Sequence, residues 1–200
     1  MSHLSLFNEP TFISLNLRNG QQYHCIDTKF DSGLVGSTAG VVVDDEFISG
    51  YSAPFGGPDF VRKAETIERV NAVIFDLVVA MQNQQWKSVR INAKPSSYSM
   101  SEVPLQISLL NNGFSLEAWE ISHSIHIERF ARIEDYDAEL RPTARKKLRH
   151  LEKEPFSFAE AVDDPDWFDC YQLLSKNRAA KGRKLKLSFD YILRIRDTFP

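Results

Sequence analysis

Between Val61 and Met81 apolar side chains return every three or four residues, at Ala64, Ile67, Val70, Ile74, Leu77, Val78 and Met81. That spacing predicts one helix with a single wide apolar face, which is stable only against a second apolar surface. The residues ahead of it supply one. "QQYHCIDTKF", "GLVGSTAGVVVDD" and "EFISGYSA", from Gln21 to Ala53, read as three strands of an antiparallel meander, with Asp44 and Asp45 as the turn between the last two. After the helix, Val89, Ile91 and Ala93 alternate with polar neighbours in "WKSVRINA". A short helix "PLQISLLNN" follows, opened by Pro104 and closed by Gly113, and "LEAWEISHSIHI" predicts a last strand. The order gives an α/β (α+β) fold, a mixed and mostly antiparallel sheet with flanking helices, over Gln21 to Glu128.

Past Glu128 the pattern changes. The acidic stretch "ERFARIEDYDAEL" links to a helix "PTARKKLRHLEKE", with Pro142 early and Ala144, Leu148 and Leu151 on a narrow apolar side. "DPDWFDCYQLLSKNRAA" is a further amphipathic segment, and in "FDYILRIRDTF" Ser188 is placed to cap a helix that turns Tyr191, Ile192 and Ile195 inward. Two units are expected: residues 1–130, and residues 131–200 holding a linker, a basic helix and the start of a second, incomplete unit. The stop at Pro200, just after a helix, reads as a truncation.

A formal net charge of -3 gives the whole chain no reason to wrap nucleic acid or an anionic membrane. Cys25 and Cys170 lie far apart without metal or redox spacing, "MSHLSLFNEP" lacks the regions of a secretion signal, and no apolar run reaches the length of a membrane span. A cytoplasmic setting is the expectation. Neither a G-x-S-x-G elbow nor a Walker loop occurs.

Local charge is less even. Arg141, Arg145, Lys146, Lys147, Arg149, His150 and Lys153 surround one short helix, with Glu152 and Glu154 near its end, and Lys176, Arg178, Lys181, Arg183, Lys184 and Lys186 follow without an acid among them. Two readings stay open: solvated faces, or convergence on an anionic substrate, where arginine favours bidentate phosphate contact. Little aromatic interleaving accompanies the charge, unlike the pattern of single-strand binding. In the expected last strand, alternation puts His123 with Trp119, Ile121 and Ile125 as a core histidine, and His126 with Ser124 and Glu128 on a polar face. No metal site follows from this pair.

The order of elements from Gln21 to Glu128 resembles the GNAT acyltransferase fold, whose later helix ends in a motif that reads "SLLNNGF" here, Ser108 to Phe114. The stretch "ARKKLRHLEKE" and the polar loop before the last helix resemble the middle of Fem-type transferases, peptidoglycan amino-acid transferases and relatives built from two tandem GNAT-like units. The resemblance implies transfer of an acyl or aminoacyl group to an amine, with acyl-CoA or aminoacyl-tRNA as donor and a donor site beyond residue 200. It also implies an anionic, nucleotide-linked or lipid-linked acceptor, or a tRNA, at Arg145 and Arg149. The alternative is a non-catalytic module that keeps the fold and holds an anionic partner. GNAT enzymes hold pyrophosphate in a glycine loop, but this chain has "APFGGPD", where Pro58 removes an N–H donor and Asp59 adds a carboxylate. The corner therefore reads as a border to the acceptor groove, with Tyr51, Phe55, Gly56 and Gly57 as its substrate contacts.

Overall fold

Asp31 and Ser32, with φ of 48° and 63°, and again Asp44 and Asp45, with φ of 50° and 66°, take the paired left-handed conformation of a two-residue hairpin turn. In the computed structural model, which describes residues 4–61, 66–121, 123, 125–155 and 159–199, these turns join β1 (Gln22–Phe30), β2 (Gly33–Val43) and β3 (Glu46–Ser49) into the antiparallel meander. Cys25 faces Ala39, and a bulge falls between Thr28 and Lys29. β4 (Asp59–Phe60) adds to β2 antiparallel, and β5 (Ser88–Ile91) adds to β3 parallel, so the sheet is mixed and mostly antiparallel.

The two faces of β2 meet different helices. On one face α1 (Pro10–Ser14) packs Ile13 against Ala39 and Val41. Alternation sends Gly36, Thr38, Gly40 and Val42 to the other face. There α2 (Ile67–Asn83) lies, with Leu77 clustered on Phe47 and Trp86, and Val42 and Ile26 packed around them. Gly40 belongs on that face because a Cβ would come within 2.7 Å of the Phe47 ring. α3 (Glu102–Asn111) closes the layer, bringing Leu105 onto Val70 and Ile74. Gly113, at φ 85°, ends it in the left-handed conformation.

Several expectations change. α2 begins at Ile67 rather than Val61, because Asp59 and Phe60 pair with β2 and Val61 N–H donates to Val35 O; Ala64 lies outside the described residues. Its buried face is Val70, Val73, Ile74 and Leu77, while Ile67 is largely exposed. The last strand does not form among the described residues of "LEAWEISHSIHI": Leu116, Trp119, Ile121 and Ile125 are exposed, and so is His123, which is no core histidine.

Contacts divide the chain into Met1–Ser122 with Arg194–Pro200, and His123–Leu193, so the first break comes before the expected residue 130 and the final segment groups with the first unit. Phe199 accordingly meets the ring of Phe12 at 6.2 Å. The second unit holds α4 (Ile133–Glu139), α5 (Pro142–Leu151), α6 (Asp164–Ala180) and most of α7 (Phe189–Thr198). Ser188 Oγ accepts from Tyr191 N–H and caps α7, and Asp163 caps α6 through Asp166 N–H. None of these helices buries a residue, and Ala144 and Leu151 are exposed where an apolar side was expected. Among the described residues no helix is long and apolar enough to cross a membrane.

Candidate functional site

The corner "YSAPFGGPD" turns where two glycines approach main chain to main chain. A Cβ on Gly56 would lie 2.2 Å from Gly50 N, so no other residue fits there, and Gly50 and Gly57 hold φ of 79° and 82°. The donors of the corner face inward. Gly56 N–H donates to Asn92 O at 2.8 Å and Gly57 N–H to Ser49 Oγ at 2.7 Å, which ties the corner to the ends of β5 and β3. With Pro58 lacking an N–H, these positions form a stitched corner whose donors are already committed. Tyr51 turns away to the cluster of Ile13, Ala39 and Val41 and donates from its hydroxyl to Gln21 Oε1 at 3.0 Å.

Phe55 does face an opening. A cavity of about 200 Å³ is lined by Ser5, Phe55, Pro58, Asp59, Phe60, Lys94, Tyr98 and Ser99. Its charged wall is a buried ion pair: Lys94 Nζ stands 2.5 Å from Asp59 Oδ1, with the two side chains 7% and 8% exposed. Lys94 also donates to Pro58 O at 2.9 Å. Asp59 Oδ2 accepts from Ser5 N–H at 2.7 Å, Ser5 Oγ at 3.0 Å and Asn8 Nδ2 at 2.7 Å. A buried pair is tolerated only when its remaining polar atoms are satisfied, and this one is surrounded by donors on the carboxylate side. Behind it sits Glu102, 1% exposed, whose Oε2 has no partner among the described residues. Burial raises its carboxyl to about 7, against the opposing pull of Lys94.

Neither Lys94, Asn8 nor Glu102 stands out in the sequence as a site residue. Lys94 and Asp59 are 35 positions apart, and no local spacing joins them. A lysine just past a strand, in "INAKPSS", and an acid after two glycines are the only traces.

The basic helix gives a second concavity, within the second unit. Pro142, Arg145, Lys146, Arg149, His150 and Lys153 line it, so the structure brings Arg145 and Arg149 to one surface without an acid in the lining. The two arginines differ in state. Arg145 Nη2 donates to Ala138 O at 2.6 Å and Leu140 O at 3.1 Å, and its Nε to Asp137 O at 3.1 Å, so it caps the end of α4 through main-chain carbonyls. Arg149, Lys146 and Lys153 make no side-chain hydrogen bond or ion pair among the described residues, and His150 faces Glu154 at 3.9 Å. The run from Lys176 to Lys186 is exposed throughout its basic residues. His126 is exposed and pairs with Glu128 at 3.2 Å. Among the described residues no three of His, Cys, Asp and Glu gather as a metal site.

No family model, curated protein or solved structure matches the chain.

Proposed function

We propose that the chain serves acyl or aminoacyl transfer to an amine, as a GNAT-type protein of the Fem-like kind, with the anionic part of its acceptor held on α5. The observation that carries the reading is the all-basic lining of Arg145, Lys146, Arg149, His150 and Lys153. Three cations with no internal partner, on α5 and the turn that follows it, are poorly placed for stability and well placed for a phosphate, since charge-assisted hydrogen bonds are worth about 1.5 to 3 kcal/mol each. The order of elements, meander, helix, strand and helix, supports the acyl-transfer part. Donors are acyl-CoA or aminoacyl-tRNA, and the acceptor is nucleotide-linked or otherwise phosphate-bearing.

A second reading is a binding module without the reaction. It is favoured by the corner, where the Gly56 and Gly57 N–H groups already have acceptors and offer no cradle for a pyrophosphate.

Binding of a nucleotide-linked sugar, followed by calorimetry, tests the site. Arg149→Ala with Lys153→Ala should weaken it ten-fold or more, while thermal stability changes by no more than about 0.5 kcal/mol, as for exposed substitutions. Arg145→Ala should instead loosen the α4–α5 junction and act through structure. Unchanged affinity in the double variant, for nucleotide-linked sugars and for tRNA alike, sinks the assignment of α5. Release of free thiol from acyl-CoA in the presence of an amine separates the enzyme from the module.

A further inference from the structure

The cavity of the first unit lies apart from the basic helix in the chain, and its chemistry points to a different ligand. Lys94 is an ammonium with three N–H donors. Two are taken, by Pro58 O at 2.9 Å and Asp59 Oδ1 at 2.5 Å, and Lys94 lines the cavity with one donor left. Ser99 Oγ accepts from Ser101 N–H at 3.1 Å, which leaves its own O–H free to donate. The Tyr98 hydroxyl has no partner among the described residues, and Tyr98 belongs to the same lining. Three residues that each keep a donor unengaged therefore line one opening.

Beside Ser5 and Asp59, the wall is apolar. Phe55, Pro58 and Phe60 line it, and Phe55 meets Tyr98 at 4.9 Å between ring centroids and is backed by Phe7 at 5.0 Å. We propose that this cavity binds a small monocarboxylate with a flat apolar body, the carboxylate receiving the third N–H of Lys94 and the hydroxyls of Ser99 and Tyr98, and the body lying against Phe55 and Phe60.

Competing ligand classes fit less well. An ammonium would meet the Lys94 charge, and both oxygens of Asp59 are engaged by Lys94, Ser5 and Asn8. A dianion such as phosphate would set two charges beside the carboxyl groups of Asp59 and Glu102, which Lys94 alone faces as a cation. A single carboxylate adds one charge to a pair whose ammonium still has a donor to give. Size agrees as well: a buried apolar cavity of about 150 Å³ accommodates benzene, and this one, at about 200 Å³, leaves room for a carboxyl group.

The test uses the full chain, labelled with nitrogen-15, and benzoate as the probe. Benzoate should move the amide signals of Lys94, Tyr98 and Ser99 in a saturable way at millimolar concentration or below. Benzamide, the neutral isostere, should bind at least ten-fold more weakly, and benzylamine and inorganic phosphate should leave those signals in place. Tyr98→Phe and Ser99→Ala, which remove hydroxyls at the rim, should each weaken benzoate several-fold without lowering the melting temperature. Lys94→Met combined with Asp59→Asn removes the ion pair as a unit and should abolish the response. Where that double variant fails to fold, the rim variants and the benzoate-to-benzamide ratio decide. Equal affinity for benzoate and benzamide, tighter binding of phosphate or benzylamine, or no response to benzoate at these signals overturns the proposal.

Discussion

Glu102 is the residue at which burial and charge conflict most directly. Its carboxyl is raised to about 7 from an ordinary value near 4.5, with burial as the first cause and Lys94 and Asp59 as the charges that face it. The sign follows from proton counting: between the two values the folded protein holds the proton and the unfolded chain has lost it. The contribution of this group to stability is therefore complete below the lower value, declines as pH rises through that window and levels off above the higher one. Glu102→Gln should remove that decline, leaving the variant more stable than the parent at pH 8 by on the order of 1 to 3 kcal/mol. Urea unfolding from pH 5 to pH 8 checks this, and equal slopes in the parent and the variant would rule it out. Sequence reading could not find this residue, since a glutamate at the start of a short helix is an ordinary first-turn acid. What makes it unusual is Leu105 drawing α3 onto Val70 and Ile74, which carries the carboxyl under cover. The same holds for Asp59, whose meaning depends on Lys94, Ser5 and Asn8 arriving from elsewhere in the chain.

Elements whose partners are near in sequence were legible. β1, β2 and β3 follow from alternation and from aspartates that tolerate the left-handed turn, and α2 follows from its period. The stretch from Leu116 to Ile127 shows the limit, because alternation reports which side chains share a face and says nothing about whether a strand edge is free to receive it. Phase also matters within α2. Leu77 is fully buried against Phe47 and Trp86, whereas Phe75, two positions away, is 60% exposed. Leu77→Ala should cost about 2 to 5 kcal/mol through lost contacts and a cavity, and Phe75→Ala should change stability by about 0.5 kcal/mol or less. Denaturant midpoints for the two variants make the comparison. Similar losses would mean that the outer face of α2 is covered in solution.

Taken as a whole, the molecule puts its cohesion in one unit. Every described side chain that is both apolar and buried belongs to Met1–Ser122, and among the described residues the helices of His123–Leu193 share no buried core of their own. A cooperative unfolding transition therefore reports the sheet and its helices. Within that unit the pairing of β5 with β3 stands apart, being parallel and joined through β4 and α2, while β1, β2 and β3 close by short turns. That difference orders events in time. The hairpins need only neighbouring residues, but Ser49 meets Ile91 only after the whole segment from Gly50 to Arg90 has been gathered, and closing a long loop is slow for entropic reasons. Trp86, stacked on Phe47 at 4.8 Å, marks the moment of closure. In stopped-flow refolding its fluorescence should settle in the last phase, and Val89→Ala should speed unfolding while leaving the folding rate nearly unchanged. A slowed folding rate in that variant would place β5 in the nucleus instead. Until β5 docks, Phe47 and Ile48 stand on a strand with one open edge, so the interval before closure is when a nascent chain is most exposed to pairing with another copy of itself.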